Sequence, residues 1–63
     1  MNDLVARTPR QLDISLRLLY SEGIRFTVTV EETEKGKIVY VIYMEASEQM
    51  ANTLKEKYRI LIS

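Results

Sequence analysis

Residues 38–44, Ile38-Val39-Tyr40-Val41-Ile42-Tyr43-Met44, form an unbroken row of seven apolar or aromatic residues, four of them β-branched. The row is far too short to cross a membrane, which takes about 20 residues in a helix. β-branched side chains lose rotamer freedom in a helix and pack well on a pleated surface. The row therefore reads as a strand covered on both faces, and such a strand belongs in the middle of a sheet. Upstream, Ile24, Phe26, Val28 and Val30 alternate with Arg25, Thr27 and Thr29, the period-two signature of a half-buried strand. Strands are expected over residues 24–31 and 37–44.

The polar link between them contains Gly36 and suits a type I turn closed by a left-handed glycine bulge. A three-residue loop Glu34-Lys35-Gly36 pairs Thr33 with Lys37, Val28 with Ile42 and Val30 with Tyr40. Ile38, Tyr40, Ile42 and Met44 then join Phe26 on the core side, and Val39, Val41 and Tyr43 face outward beside Thr27 and Thr29. A two- or four-residue loop exchanges the two sets, because side chains alternate across a strand.

Two helices flank the hairpin. Thr8, Pro9 and Gln11 make a capping box with proline at the first helical position, and Gly23 supplies a left-handed stop, which predicts a helix over 9–22. Leu12, Leu16 and Leu19 form its core stripe. Ile14 and Leu18 lie more than a quarter turn away and are expected to be partly exposed. Ser47 caps a second helix over 47–58, with Met50, Ala51, Leu54 and Tyr58 on one face. Residues 3–7 and 59–62 read as short strands.

The expected order is strand, helix, strand, strand, helix, strand in one domain, 1–63. This is the ferredoxin-like split β-α-β arrangement of the α+β class, with both helices on one face of an antiparallel sheet. The alternative is a helix–strand–strand–helix unit with three or fewer strands, whose missing pairing a partner would supply.

Composition narrows the function. The chain of 63 residues has no Cys and no His, so disulfides, thiolate metal sites, thiol nucleophiles and the usual neutral-pH base are excluded. No metal site, cofactor or catalytic residue is expected, nor is an enzyme. Glu31, Glu32 and Glu34 cluster in the hairpin, but not at the spacing of a calcium loop. Nine Lys and Arg balance nine Asp and Glu, leaving no global field to draw in nucleic acid or an anionic membrane. No membrane span or signal peptide is expected, and a cytoplasmic location is the default.

A chain this small buries only about 60% of its unfolded surface, yet it carries more apolar strand surface than two helices on one face can cover. A small non-catalytic interaction or regulatory module is expected, self-associating, as a homodimer, or docking on a protein through an apolar sheet face or an edge strand. The expected contacts are Val39, Val41 and Tyr43, with Ile14 and Leu18 as a second patch. The alternative partner is nucleic acid, met by the same strand. Tyr40-Val41-Ile42-Tyr43 fits the last four positions of the RNA-recognition-module consensus; Ile38 and Val39 depart from it, and the preceding glycine is one place off. A ligand-sensing regulatory domain shares the strand order, but its usual glycine is absent from the Arg7-Thr8-Pro9 turn.

Overall fold

The computed structural model describes residues 2–63. It is an α+β fold: β1 (Asp3–Ala6), α1 (Pro9–Ser21), β2 (Phe26–Glu32), β3 (Ile38–Met44) and α2 (Glu48–Ile62). The three strands form one antiparallel sheet in the order β1-β3-β2. The doubly apolar strand is central, as its composition requires.

The expected fourth strand over 59–62 is not formed, so the six-element ferredoxin-like order is not realised. These residues are the last turn of α2. Tyr58 and Ile62 continue the four-residue spacing that begins at Leu54, and no Gly or Pro interrupts it. Helix propagation adds one hydrogen bond for each residue fixed. A new strand would first have to break the helix and then find pairing beside β1. Ile62 packs against the core from its helical position.

The hairpin takes the expected register: Val28 lies opposite Ile42 and Val30 opposite Tyr40. The Thr33 N–H donates to the Lys37 carbonyl at 2.8 Å and the Gly36 N–H to the Thr33 carbonyl at 2.9 Å. Gly36 has φ +75°, the left-handed conformation that only glycine adopts cheaply. In α1 the Gln11 N–H donates to Thr8 Oγ1 at 3.1 Å, while the Gln11 side chain accepts from the Arg7 N–H at 2.9 Å. The returning bond thus lands one residue before the cap. Gly23, at φ +70°, ends the helix.

The core lies between the helices and one face of β1 and β3. Leu4, Ala6, Leu18, Leu19, Ile42, Met44, Ala51, Leu54 and Tyr58 build it. The α1 stripe is wider than the expected one: Leu12, Leu16 and Leu19 face the core as expected, and Leu18 and Ile14 join them. Leu18 is buried rather than partly exposed, Leu12 and Leu16 are half-buried, and Ile14 packs against the same cluster. The reason is that α1 packs on both β1 and α2, so more than one narrow stripe must be covered. Ser15 is fully buried there, its hydroxyl donating to the Leu12 carbonyl one turn back at 2.8 Å. Tyr20 is exposed, and Met50, expected in the core, is 40% exposed.

α1 packs on β1 and the two helices pack on each other, and neither packs closely on β2, leaving the helix-side face of β2 only partly covered. Phe26 and Ile38, expected in the core, are exposed for this reason, as is Val30. In a split β-α-β arrangement the second helix leads to a strand beyond β1. Here, among the described residues, no strand follows α2, and the Tyr58 hydroxyl of α2 bonds to the Val5 carbonyl of β1 instead.

Candidate interaction surface

The sheet offers three surfaces: the face without helices, the outer edge of β1 and the outer edge of β2. Each is set by the alternation of the strands.

Residues opposite one another in an antiparallel sheet point to the same face. The open face therefore carries Asp3 and Val5 from β1, Val39, Val41 and Tyr43 from β3, and Thr27, Thr29 and Glu31 from β2. Continuing the register one step brings Arg7 beside Val39. The sequence places Val39, Val41 and Tyr43 together on this face, and the structure agrees. Their exposure is small, however: Val39 is 8% and Val41 7% exposed, and Tyr43 is half-buried.

The flanking rows do the shading. The Tyr43 hydroxyl donates to Glu31 Oε2 at 3.1 Å, and Thr29 Oγ1 donates to the same oxygen at 2.9 Å. Thr29 stands directly opposite Val41, so this strap closes one flank of that residue, and Val5 stands opposite on the other. The hydrogen bond to Glu31 holds the Tyr43 phenol above its usual pKa, with desolvation and the Glu31 charge acting in the same direction. A neutral phenol can donate to the carboxylate, whereas a phenolate beside it would be repelled.

Tyr40 and Tyr43 point to opposite faces of β3 and cannot stack bases on one platform. At the hairpin end, Arg7, Thr33, Glu34, Lys35, Lys37, Ile38 and Val39 line an open depression of about 600 Å³. The second predicted patch is dispersed: Leu18 belongs to the core, and Ile14 lines a smaller hollow with Thr8, Arg10, Gln11 and Ile62.

The two edges differ. The Met44 N–H donates to the Asn2 carbonyl at 2.8 Å. Hydrogen-bonded pairs alternate along an antiparallel ladder, so Leu4 and Ala6 also bond toward β3, and Asp3 and Val5 turn their backbone groups outward. Tyr58 of α2 occupies that side, its hydroxyl donating to the Val5 carbonyl at 3.2 Å. Burial raises the Tyr58 pKa, opposed by the Arg7 charge; the buried phenol is held neutral, the form that donates.

On β2, Arg25 and Thr33 bond to β3 through Glu45 and Lys37. Thr27, Thr29 and Glu31 share that phase, so Phe26, Val28, Val30 and Glu32 direct their backbone N–H and C=O groups away from the sheet. Among the described residues no element pairs with this edge. Val30 is 63% exposed, and Ile38, near the same end of the hairpin, 53%. These residues were not among the expected contacts. The available signal was the alternation that turns Val30 toward a helical layer displaced from β2. No family model, curated protein or solved structure matches the chain.

Proposed function

We propose that this chain is a small non-catalytic protein-interaction module that docks through its sheet, with the β2 edge and the apolar side chains beside it as the contact. The observation that carries the reading is the unpaired outer edge along Phe26–Glu32, flanked by exposed Phe26, Val30 and Ile38. An open strand edge satisfies its backbone groups by receiving another strand, and the neighbouring side chains then set selectivity. Val39, Val41 and Tyr43 support the edge from the central strand. Their shading makes the open face a smaller target than its composition suggests. The structure has no helix long and apolar enough to cross a membrane among the described residues.

The test is affinity capture from the native host with tagged wild-type chain and with Val30→Lys, followed by analysis of both protein and nucleic acid. Recovery of a protein partner that is lost with Val30→Lys is the expected result. Equal capture by both forms, or recovery of nucleic acid alone, would overturn the reading.

A further inference from the structure

The β2 edge is complementary to itself in one register. A strand joining it in antiparallel fashion must place outward-bonding residues opposite outward-bonding residues. For two copies related by a two-fold axis, this allows only registers centred on one residue of β2, and the side chains of those registers can be compared directly.

With Val28 on the axis, Val28 faces Val28 of the second copy, Phe26 faces Val30, Thr27 faces Thr29 and Arg25 faces Glu31. The apolar pairs fall on the helix-side face and the charged pair on the open face. Moving the axis to Thr29 sets Phe26 against Glu32 and leaves Arg25 opposite Thr33. Moving it to Thr27 sets Arg25 against Thr29, and moving it to Val30 sets Val28 against Glu32. Only the Val28 register sets Arg25 against an opposite charge while pairing Phe26, Val28 and Val30 among themselves; at the strand ends it sets Ile24 against Glu32.

The charges are free to meet. Among the described residues, neither Arg25 nor Glu31 takes part in an ion pair. The hydroxyls of Tyr43 and Thr29 both bond to Oε2 of Glu31, and Oε1 remains for a cation. The strap thus positions the carboxylate on the row that a second β2 would enter.

We infer that two copies of this chain pair antiparallel along β2 about a two-fold axis at Val28, making a continuous six-stranded sheet with Arg25 of each copy set against Glu31 of the other. The inference rests on the interaction reading above and commits it to one occupant. Phe26 and Val30, both exposed, then cover each other across the axis. Three hydrogen-bonded pairs form, Phe26 with Val30 twice and Val28 with Val28, each of two bonds.

The chain contains no cysteine, so an introduced one is its only thiol. In this register the two Cα atoms of residue 28 lie about 5.5 Å apart, within disulfide reach, whereas those of residue 29 are offset diagonally, beyond the roughly 7 Å limit. Val28→Cys is expected to oxidise to a covalent dimer and Thr29→Cys to remain monomeric under denaturing electrophoresis. The opposite pattern, or equal linking of both, overturns the register.

Sedimentation equilibrium over about 1–500 µM, a range suited to a small interface, tests the assembly itself. Wild type is expected to rise from 7.4 kDa to twice that mass. Val28→Pro removes an outward N–H, which an edge strand tolerates, and trims a half-buried side chain that packs against the core; it is expected to be a folded monomer by circular dichroism, somewhat less stable than wild type. Arg25→Glu and Glu31→Arg are each expected to weaken the dimer about ten-fold, and the double exchange to recover part of that loss, since a reversed pair regains its attraction but lacks the strap from Tyr43 and Thr29. A mass of 7.4 kDa throughout overturns the inference and leaves protein docking to the capture experiment. A dimer that survives Val28→Pro but is lost with Val41→Lys also overturns it, while keeping self-association through the open face.

Discussion

The two edges of the sheet end in opposite states. β1 is four residues long, and Tyr58 of α2 donates to its outward Val5 carbonyl. β2 is seven residues long, and its outward backbone groups at Phe26, Val28, Val30 and Glu32 meet no other element among those described. The difference does not come from the strands. It comes from α2, which runs to Ile62 as helix, so that no further strand follows it among the described residues, and which sends the Tyr58 hydroxyl to the β1 edge. A protein this small cannot close both edges with two helices, and the edge left open is the longer one.

Breaking the β1 side should have the largest effect. Leu54 is fully buried and fixes α2 to the core. Leu54→Ala is expected to cost about 2–5 kcal/mol, against a total of about 3–9 kcal/mol for a chain of this length. Urea titration should show a large fall in the unfolding midpoint; a loss under about 1 kcal/mol would mean that α2 is not fixed to the core through Leu54.

Tyr58→Phe sharpens the comparison by removing one hydroxyl. It leaves the Val5 carbonyl without its partner and is expected to cost about 0.5–1.5 kcal/mol in the same titration. On the open face, Val41→Lys is expected to cost about 1 kcal/mol. The lysine stem can lie along Val5 while its ammonium reaches water, so the circular dichroism spectrum should be unchanged. Val30→Lys should move the stability of the monomer by no more than about 0.5 kcal/mol, since Val30 is mostly exposed on the bare edge. A monomer strongly destabilised by Val30→Lys would show that β2 is packed against something after all.

The smallest effect concerns pH. Tyr43 and Tyr58 both have pKa values raised above 10.0, so the folded chain holds these protons more tightly than the unfolded one. Their contribution is fully present below about pH 10 and is lost as pH rises through the folded values. Alkaline urea titrations should therefore show stability falling above about pH 10, less steeply in Tyr58→Phe. An equally steep fall in that variant would remove Tyr58 as a cause.

Much of the fold was legible because it is set locally. The Thr8 cap, the Gly23 stop and the Gly36 loop each act within a few residues, and the loop alone fixed the register of the hairpin. The fate of residues 59–62 was not legible in the same way. Arg59-Ile60-Leu61-Ile62 suits a strand by composition, and only the continuing four-residue spacing from Leu54 favoured the helix. The placement of the candidate surface was readable as parity and unreadable as exposure. Val39, Val41 and Tyr43 share the open face as expected, but the shading depends on Val5, Thr29 and Glu31, which come from neighbouring strands. Leu18 was misplaced because its burial depends on α1 having two neighbours rather than one.

Gly36 carries a consequence larger than its loop. Its φ of +75° is the conformation that lets the turn close over an odd number of residues. A loop one residue longer or shorter would leave β3 where β1 holds it and invert β2, sending Thr27, Thr29 and Glu31 toward the helices and Phe26, Val28 and Val30 to the opposite side. One residue without a side chain thus acts as the parity setting of the sheet. Inserting or deleting one residue in that loop would not weaken the edge of β2 so much as turn it inside out, and with it the identity of whatever can bind.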